Sequence, residues 1–299
     1  MKKTDWSYRY DIRDLQVRGL SLLDEVDRVC REHGLKYYII AGTLLGALRH
    51  KGYIPWDDDI DIALMRDDYD TLVEHSREWL QEPYSIMVHT RDDRYPKFFG
   101  KLEDRSTTLV ESFYLGYAGG VYMDIFPLDD VPDNRFLRNL HFYHFNFLRR
   151  LLYIAYKSPY KHGRTFGTPF IILFQKVFSK KWLHKRAQAV MKEYHGHKNC
   201  NYVMTHDDGT RAYHKSVFGN PVTVQFEDRM YCAPANPDGF LSVLYGNYME
   251  LPPLEQRRAH YDDYCDLNTP NDGSVSIQEL ERIQKEKVNQ NHTAQDIQV

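Results

Sequence analysis

Residues 41–64 read AGTLLGALRHKGYIPWDDDIDIAL and join a glycine turn to a carboxylate-rich segment in an apolar frame. Asp57, Asp59 and Asp61 recur at every second position, so on an extended strand their side chains share one face. Neighbouring carboxylates on that face would be ~6.6 Å apart at the backbone. Because like charges held this close are usually relieved by a proton or a cation, the stretch predicts a Mg²⁺ site.

A phosphate site is predicted just upstream of these carboxylates. Gly42 and Thr43 follow the apolar run 37–40, and residues 44–49 have the composition of a short helix. A strand, a glycine turn and a helix N-terminus present backbone N–H groups and the positive end of the helix dipole to an anion. Each motif alone is weak, since an Asp-rich turn is commonly a solvated loop or a Ca²⁺ loop. Their combination indicates phosphoryl transfer.

One further carboxylate stands in an apolar strand. Residues 121–126 read VYMDIF, and Asp124 is the single charge among them. Solvation explains such a carboxylate poorly, which leaves a metal ligand, a base that takes a proton from a hydroxyl, or a cap of a neighbouring turn.

These residues lie in blocks that resemble a known family. Residues 42–62, GTLLGALRHKGYIPWDDDIDI, are similar to the signature of the LicD-type phosphocholine transferases, relatives of the fukutin-related proteins in the nucleotidyltransferase superfamily of DNA polymerase beta. Residues 226–260 resemble the C-terminal pattern of that family. With residues 97–108 and 121–130, the similarity spans most of residues 12–260.

The resemblance implies a fold and a reaction. The fold is α/β, a nucleotidyltransferase (DNA polymerase beta-like) domain in which a small mixed sheet is flanked by helices. The reaction moves phosphocholine from CDP-choline to a sugar hydroxyl of a teichoic acid, lipopolysaccharide or capsule precursor and releases CMP. Asp59 and Asp61 would hold Mg²⁺, or Mn²⁺, on the diphosphate, and Asp124 would complete the metal site or act as the base.

The resemblance also suggests substrate contacts. Gly42 and Thr43 would cradle phosphate oxygens, and Lys101 would contact a phosphate or else be an ordinary strand-edge lysine. Arg49 either complements the helix dipole or reaches a phosphate. The roles of Asp57 and Asp58 stay open.

The roles of three side chains nearer the C-terminus also stay open. Arg257, Arg258 and His260 would bind phosphate or pin the C-terminal segment.

Other functions remain open at this stage. The same fold would serve a transferase for another CDP-linked alcohol phosphate, or a true nucleotidyltransferase that leaves a nucleotide on its acceptor. A non-enzymatic alternative is a membrane or glycan binding module with a vestigial metal site.

Composition predicts one large domain. The 299 residues, 42% of them hydrophobic, suffice for a full hydrophobic core. We assign the domain to residues 1–267, with a basic helical insertion at 134–195. Residues 268–299 are predicted to form a polar C-terminal helix and tail. The sequence has no signal-like apolar region and no segment of ~18 apolar residues, so we expect a cytoplasmic protein. The four scattered cysteines predict reduced thiols.

Charge is distributed unevenly along the chain. Residues 134–192 carry 13 of the 39 Lys and Arg side chains and none of the 42 Asp and Glu, which leaves 26 basic against 42 acidic side chains elsewhere. This segment would bring the enzyme to a lipid-linked acceptor at an anionic membrane, at the inner face of the cytoplasmic membrane. Core helices with solvated basic faces are an equal alternative. No recognised nucleic-acid motif accompanies the segment.

Periodicity and turn residues predict the remaining elements. The predicted helices are 12–33 (ended by Gly34), 67–80, 135–156, 169–194, 238–245 and 275–288 (capped by Ser274). The predicted strands are 36–41, 84–89, 97–103, 107–111 and 121–126. His195 and His197 form only a weak metal motif.

Overall fold

In the computed structural model, which describes residues 11–160, 165–257, 262–273 and 275–296, the chain folds around one mixed sheet. The strands are β1 (Tyr37–Ile39), β2 (Asp61–Met65), β3 (Tyr84–Met87), β4 (Gly100–Val110), β5 (Gly119–Val131), β6 (Tyr202–Met204), β7 (Tyr213–His214), β8 (Val222–Phe226), β9 (Arg229–Ala233) and β10 (Tyr264–Asp266). The helices are α1 (Ile12–His33), α2 (Ala41–His50), α3 (Arg66–Trp79), α4 (Arg135–Tyr156), α5 (Thr168–Val177), α6 (Lys180–Met191), α7 (Lys215–Phe218), α8 (Pro237–Tyr245) and α9 (Ile277–Asp296).

The sheet is built around β5. Its strand order is β1-β2-β5-β4-β10, with β3 also paired to β4, β6 to β5, and β7 to β6, while β8 and β9 form a separate hairpin. β2 and β5 run parallel, and the other pairs are antiparallel. The expected mixed α/β architecture with flanking helices is therefore confirmed. The division at residues 267 and 268 stays a prediction.

Helix α1 forms where its apolar period predicts it. The Asp11 side chain accepts a hydrogen bond from the Arg13 N–H at the start, and Gly34 ends the helix in the left-handed conformation that glycine adopts without strain. Leu22, Leu23 and other apolar side chains of one stripe are fully buried. The helix packs on β4 and β5 and covers one face of the sheet.

Alternation along β5 separates the core from the polar side of the sheet. Met123 and Ile125 are fully buried, and Asp124 between them projects to the opposite face. Ile62 and Leu64 on β2 are buried in the same way and alternate with Asp61. Asp61 and Asp124 therefore project from the sheet face opposite the one that carries Ile62 and Ile125.

Several element predictions were wrong in their bounds, and the last helix, α9, ends at Asp296 rather than at residue 288. Residues 97–103 and 107–111 belong to one long strand, β4, with an irregularity in its pairing to β5 between Asp104 and Leu109. β5 extends to Val131, because it gains β6 as a partner beyond the predicted end at residue 126.

The predicted helix 169–194 is divided into two helices, α5 and α6. It is interrupted between α5 and α6, where Ser179 precedes the first turn of α6. Among the described residues, no helix combines the length and the apolar content that crossing a bilayer requires. Ser274, the predicted N-cap of the last helix, lies outside the described residues.

Candidate active site at the carboxylate cluster

Three consecutive carboxylates converge before β2. Asp57, Asp58 and Asp59 each offer an oxygen atom, and these oxygens lie within 4.8 Å of one another. They follow a turn in which the Asp57 N–H donates to the Ile54 carbonyl at 2.9 Å, and Gln16 Nε2 on α1 donates to the Asp57 carbonyl at 2.9 Å. The expected extended strand across these positions is wrong, because the turn bends the chain and β2 begins only at Asp61.

Asp61 and Asp124 are neighbours across the parallel pair β2 and β5. Burial raises the pKa of Asp61 well above its usual range, and the charges of Asp59, Asp124 and Asp57 raise it further. Burial raises the pKa of Asp124 to about 6, although the charges of Lys101 and Lys97 lower it. The two strands thus add two carboxylates beside the loop cluster, in a setting where a cation would relieve their repulsion.

Lys101 is buried against this group. Its Nζ lies 3.1 Å from Asp124 Oδ1 and 3.0 Å from Glu111 Oε2, and Lys97 Nζ lies 3.0 Å from Glu111 Oε1. Burial alone would raise the pKa of Glu111, but the charges of Lys101 and Lys97 lower it to about 2. Because β4 lies between β5 and the strands β3 and β10, the alternative of a strand-edge lysine is wrong.

The N-terminal turn of α2 faces the carboxylate loop. The helix begins at Ala41, so Gly42 and Thr43 belong to its first turn rather than to a preceding loop. A Cβ atom on Gly42 would lie 2.5 Å from Asp57 Oδ2, and Thr43 Oγ1 accepts a hydrogen bond from the Asp61 N–H at 2.9 Å. Glycine therefore allows a close approach between the helix and Asp57, and Thr43 fixes the start of β2. Phosphate binding here stays a prediction.

Two arginines lie together beside the site. Arg49 Nη1 donates to the Tyr248 carbonyl at 2.9 Å, and the Arg257 guanidinium lies 5.2 Å from the ring centroid of Trp56, directly before Asp57. Burial lowers the pKa of Arg49, and the positive charge of Arg257 lowers it further. Arg257, from the C-terminal segment, is therefore a second cation near Arg49, the residue that the sequence predicts to bind a phosphate. Arg258 and His260 lie outside the described residues.

Other acidic and phenolic groups near the cluster were missed by the sequence analysis. The charge of Asp208 contributes to the raised pKa of Asp61. Burial raises the pKa of Tyr245, and the charges of Asp61, Asp208 and Asp57 raise it further. Asp208 lies just after β6, in the segment THDD at residues 205–208. The two adjacent acids of that segment were the one sequence signal for an acidic group here.

The histidine-rich stretch does not gather into a metal site. His195 Nε2 lies 3.0 Å from Asp67, whereas the buried His206 contacts His141 at 3.0 Å and Asp129 at 3.4 Å. Within the described ranges, the only group of three or more ligand-type residues is the aspartate triplet at 57–59.

A cavity of about 620 Å³ lies elsewhere, between α3 and α6. Its walls include Tyr69, Phe98, Phe99, Lys180 and His184, and none of the site aspartates named above lines it. The carboxylate site and this cavity are therefore different places in the fold.

Comparison with known proteins finds one matching family and one relative that is similar over most of the chain. Residues 34–149, which contain the carboxylate loop, match the LicD/FKTN/FKRP nucleotidyltransferase domain family. The chain is also 29% identical over 281 aligned residues to the lipopolysaccharide cholinephosphotransferase LicD of Haemophilus influenzae, an alignment that covers 84% of this chain and 96% of that protein. The chain is therefore similar to the LicD family, and the part that matches the family contains the carboxylate loop.

Shorter similarities connect the chain to two uncharacterized proteins. It is 43% identical over 61 residues to one from Rickettsia typhi, covering 20% of each chain. It is 38% identical over 65 residues to one from Rickettsia prowazekii, covering 22% of this chain and 24% of that protein.

Proposed function

We propose that this chain is a LicD-type enzyme that transfers phosphocholine from CDP-choline to a sugar hydroxyl of a lipopolysaccharide precursor, releases CMP, and requires Mg²⁺ or Mn²⁺. The observation that carries the proposal is the relationship to the Haemophilus cholinephosphotransferase over 96% of that protein's length. The relative's name makes lipopolysaccharide the first acceptor to test. Teichoic acid and capsule precursors, and a cytoplasmic location, stay predictions from the sequence.

The described residues fit a divalent cation. Three carboxylates that converge within 4.8 Å, with Asp61 beside them, form a set of hard oxygen donors of the kind that Mg²⁺ and Mn²⁺ prefer. We propose Asp59 and Asp61 as ligands, joined by Asp57 or Asp58 from the loop and by Asp124 if it is not the base. A bound cation would neutralise charge on the diphosphate as the leaving group departs.

The remaining residues of the site would bind the donor and handle the proton. Arg49 and Arg257 would face the phosphates of CDP-choline, because an anion would relieve the repulsion by which the charge of Arg257 lowers the pKa of Arg49. The acceptor oxygen forms a bond to the phosphorus that bears choline, and the bond from that phosphorus to the CMP oxygen breaks. Asp124, with its pKa raised to about 6, would take the hydroxyl proton.

This proposal includes the nucleotidyltransferase fold. It is supported by the description of the matching family and by the pairing of Asp61 on β2 with Asp124 on β5, which sets two carboxylates on adjacent strands.

The direct test is incubation with a panel of CDP-alcohols and a lipopolysaccharide acceptor, with CMP release and the mass of the product as readouts. CDP-choline should give CMP and a product heavier by one phosphocholine group. A preference for another CDP-alcohol such as CDP-ribitol would replace phosphocholine by that alcohol phosphate. A product that carries the nucleotide would identify a true nucleotidyltransferase instead.

A variant separates the two possible roles of Asp124. If Asp124 is the base, Asp124→Asn should bind Mg²⁺ and CDP-choline normally by calorimetry and transfer at least ~10²-fold more slowly. If it is a ligand, the affinity for Mg²⁺ should fall as well. Wild-type turnover would remove Asp124 from both roles.

A further inference from the structure

Helix α5 is apolar but contributes little to the core. Its sequence is TPFIILFQKV, yet Thr168 is its only buried residue. Phe170 is 70% exposed, Leu173 59% and Val177 66%, and Phe166 just before the helix is 95% exposed. An apolar helix of a globular domain normally buries its apolar face, so this exposure indicates a surface that meets another apolar phase.

Helix α4 continues this exposed surface. Phe136, Leu140, Tyr143 and Phe147 are exposed at a spacing of three and four residues, which places them on one face of the helix. The opposite face is buried in the core. Gln175 Nε2 of α5 donates to the carbonyls of Ile154 and Lys157 near the end of α4, so the two helices lie together. The seven exposed side chains are here called the α4–α5 surface: Phe136, Leu140, Tyr143, Phe147, Phe170, Leu173 and Val177.

Cations accompany the α4–α5 surface. Two of the basic side chains in residues 134–192 pair with acids of the domain, Arg149 with Asp207 at 3.3 Å and Lys192 with Asp70 at 2.5 Å. Others have no carboxylate partner among the described residues. On α4 and α5 themselves these are Arg135, Arg150 and Lys176. Lys181 and Lys185 of α6 instead line the cavity between α3 and α6.

We propose that the α4–α5 surface docks on an anionic lipid bilayer, with its aromatic and aliphatic side chains at the acyl boundary and the unpaired cations at the headgroups. An exposed apolar helix face rich in aromatic residues, flanked by Lys and Arg, is the composition of an interfacial helix. Each cation near an anionic bilayer adds to the attraction. The remainder of the chain is acidic, so this segment supplies the charge that the bilayer attracts.

A bilayer fits this surface better than a second copy of the chain. A two-fold contact between copies brings the same patch of each subunit together, and here it would bring identical unpaired cations face to face. Docking on lipid requires neither donor nor acceptor. Its failure is therefore separate from a failure of phosphocholine transfer.

The test is co-sedimentation of the full chain with vesicles of phosphatidylcholine alone and of phosphatidylcholine mixed with phosphatidylglycerol. The wild type should bind the mixed vesicles and be released by salt, because exposed charges are screened beyond ~8 Å at physiological ionic strength. The variant Phe170→Ser with Leu173→Ser should bind at least ~10-fold more weakly, since two apolar side chains no longer leave water.

A matched control uses two exposed apolar residues that lie C-terminal to the basic segment. Val243 is 48% and Leu254 72% exposed, and both lie outside the basic segment. The variant Val243→Ser with Leu254→Ser should bind mixed vesicles within ~2-fold of the wild type, because it does not change the α4–α5 surface. Circular dichroism should show both double variants folded.

Three outcomes would overturn the inference. The first is a wild type that ignores the mixed vesicles at low salt. The second is equal vesicle binding by the two serine double variants. The third is a wild-type dimer in sedimentation equilibrium that the Phe170→Ser and Leu173→Ser changes dissociate, which would assign the surface to a second copy of the chain.

Discussion

Lys101 Nζ lies 3.1 Å from Asp124 Oδ1, and the two residues face each other in register across β4 and β5. Lys101 is fully buried and also contacts Glu111 at 3.0 Å. The lysine therefore compensates two carboxylates at the edge of the proposed site. Lys101, predicted from the sequence to contact a phosphate, is in the fold part of a buried ion pair with these carboxylates. Its contact with a phosphate stays a prediction.

Replacing this lysine should destabilise the protein strongly. Lys101→Met leaves Asp124 and Glu111 without their shared cation, and breaking a buried ion pair typically costs ~3–5 kcal/mol. Urea unfolding measures the loss. Adding Asp124→Asn should recover part of it, because the uncompensated charge is removed. The control is Lys285→Met in an exposed pair with Glu281, which should cost less than ~1 kcal/mol. A small effect at Lys101 would contradict the buried-pair interpretation.

A second buried pair makes a prediction about pH. Arg66 binds Asp129 through two hydrogen bonds of 2.6 and 2.7 Å, and both side chains are buried. Burial alone would raise the pKa of Asp129, but the Arg66 charge holds it below its usual range. The stability from this pair is therefore complete above the unfolded pKa of about 3.9 and is lost as pH falls through the folded pKa.

The measurement is unfolding by urea at several pH values in wild type and Asp129→Asn. The difference in unfolding free energy should be ~3–5 kcal/mol near neutral pH and shrink below about pH 4. A matched control is Asp92→Asn, whose partner Arg94 is largely exposed, and it should cost less than ~1 kcal/mol. A difference at Asp129 that does not change with pH would contradict the linkage.

Sequence reasoning succeeded where one element carried its own signal. Helices α1 and α4 begin and end at the predicted residues, because each has a helical apolar period and a polar residue at its N-cap. It failed where the cause lies in distant residues. Asp129 lies between Pro127 and Pro132, a setting that favours a turn, but in the fold it pairs with Arg66 and with its strand partner Met204, neither of which is near it in sequence.

The same limit applies to the candidate site. The spacing of Asp57, Asp59 and Asp61 drew attention to the loop in which three carboxylates converge, but an alternating pattern cannot show that the turn at Pro55 brings consecutive aspartates together. The pairing of Lys101 with Asp124 depends on the register between two long strands, which no local pattern encodes.

A buried histidine should make the protein sensitive to mild acid. His184 stacks on His89 at 4.3 Å and lies 2.9 Å from the Tyr156 hydroxyl. Burial and, to a smaller extent, the charge of His89 lower the pKa of His184 to about 3. The neutral form is favoured by folding, so this stability is present above the unfolded pKa of about 6.5 and is lost as pH falls toward 3.

Unfolding between pH 7 and pH 4 tests this. The wild type should lose up to ~1.4 kcal/mol of unfolding free energy per pH unit through His184, and His184→Gln should show a shallower decline. The exposed His144 provides the control, and His144→Gln should leave the slope unchanged. Parallel slopes in wild type and His184→Gln would contradict the prediction.

The contact between α2 and the carboxylate loop should govern metal affinity. A Cβ atom at Gly42 would lie 2.5 Å from Asp57 Oδ2, so Gly42→Ala must displace that carboxylate. If Asp57 joins the cation site, Mn²⁺ affinity measured by electron paramagnetic resonance should fall ~10-fold or more. Gly167→Ala meets no atom nearer than 3.9 Å and should bind Mn²⁺ normally. Unchanged affinity in Gly42→Ala would remove Asp57 from the site.

The most direct test of the proposed reaction is phosphocholine transfer from CDP-choline to a lipopolysaccharide acceptor by wild type, Asp59→Asn and the exposed control Asp228→Asn. With saturating Mg²⁺, the wild type and Asp228→Asn should form product at equal rates, and chelation should abolish both activities. Asp59→Asn, folded by circular dichroism, should be slower by at least ~10²-fold, because a ligand carboxylate is lost. Wild-type transfer by Asp59→Asn, or full activity with the cation removed, would contradict the carboxylate cluster as the centre of the reaction.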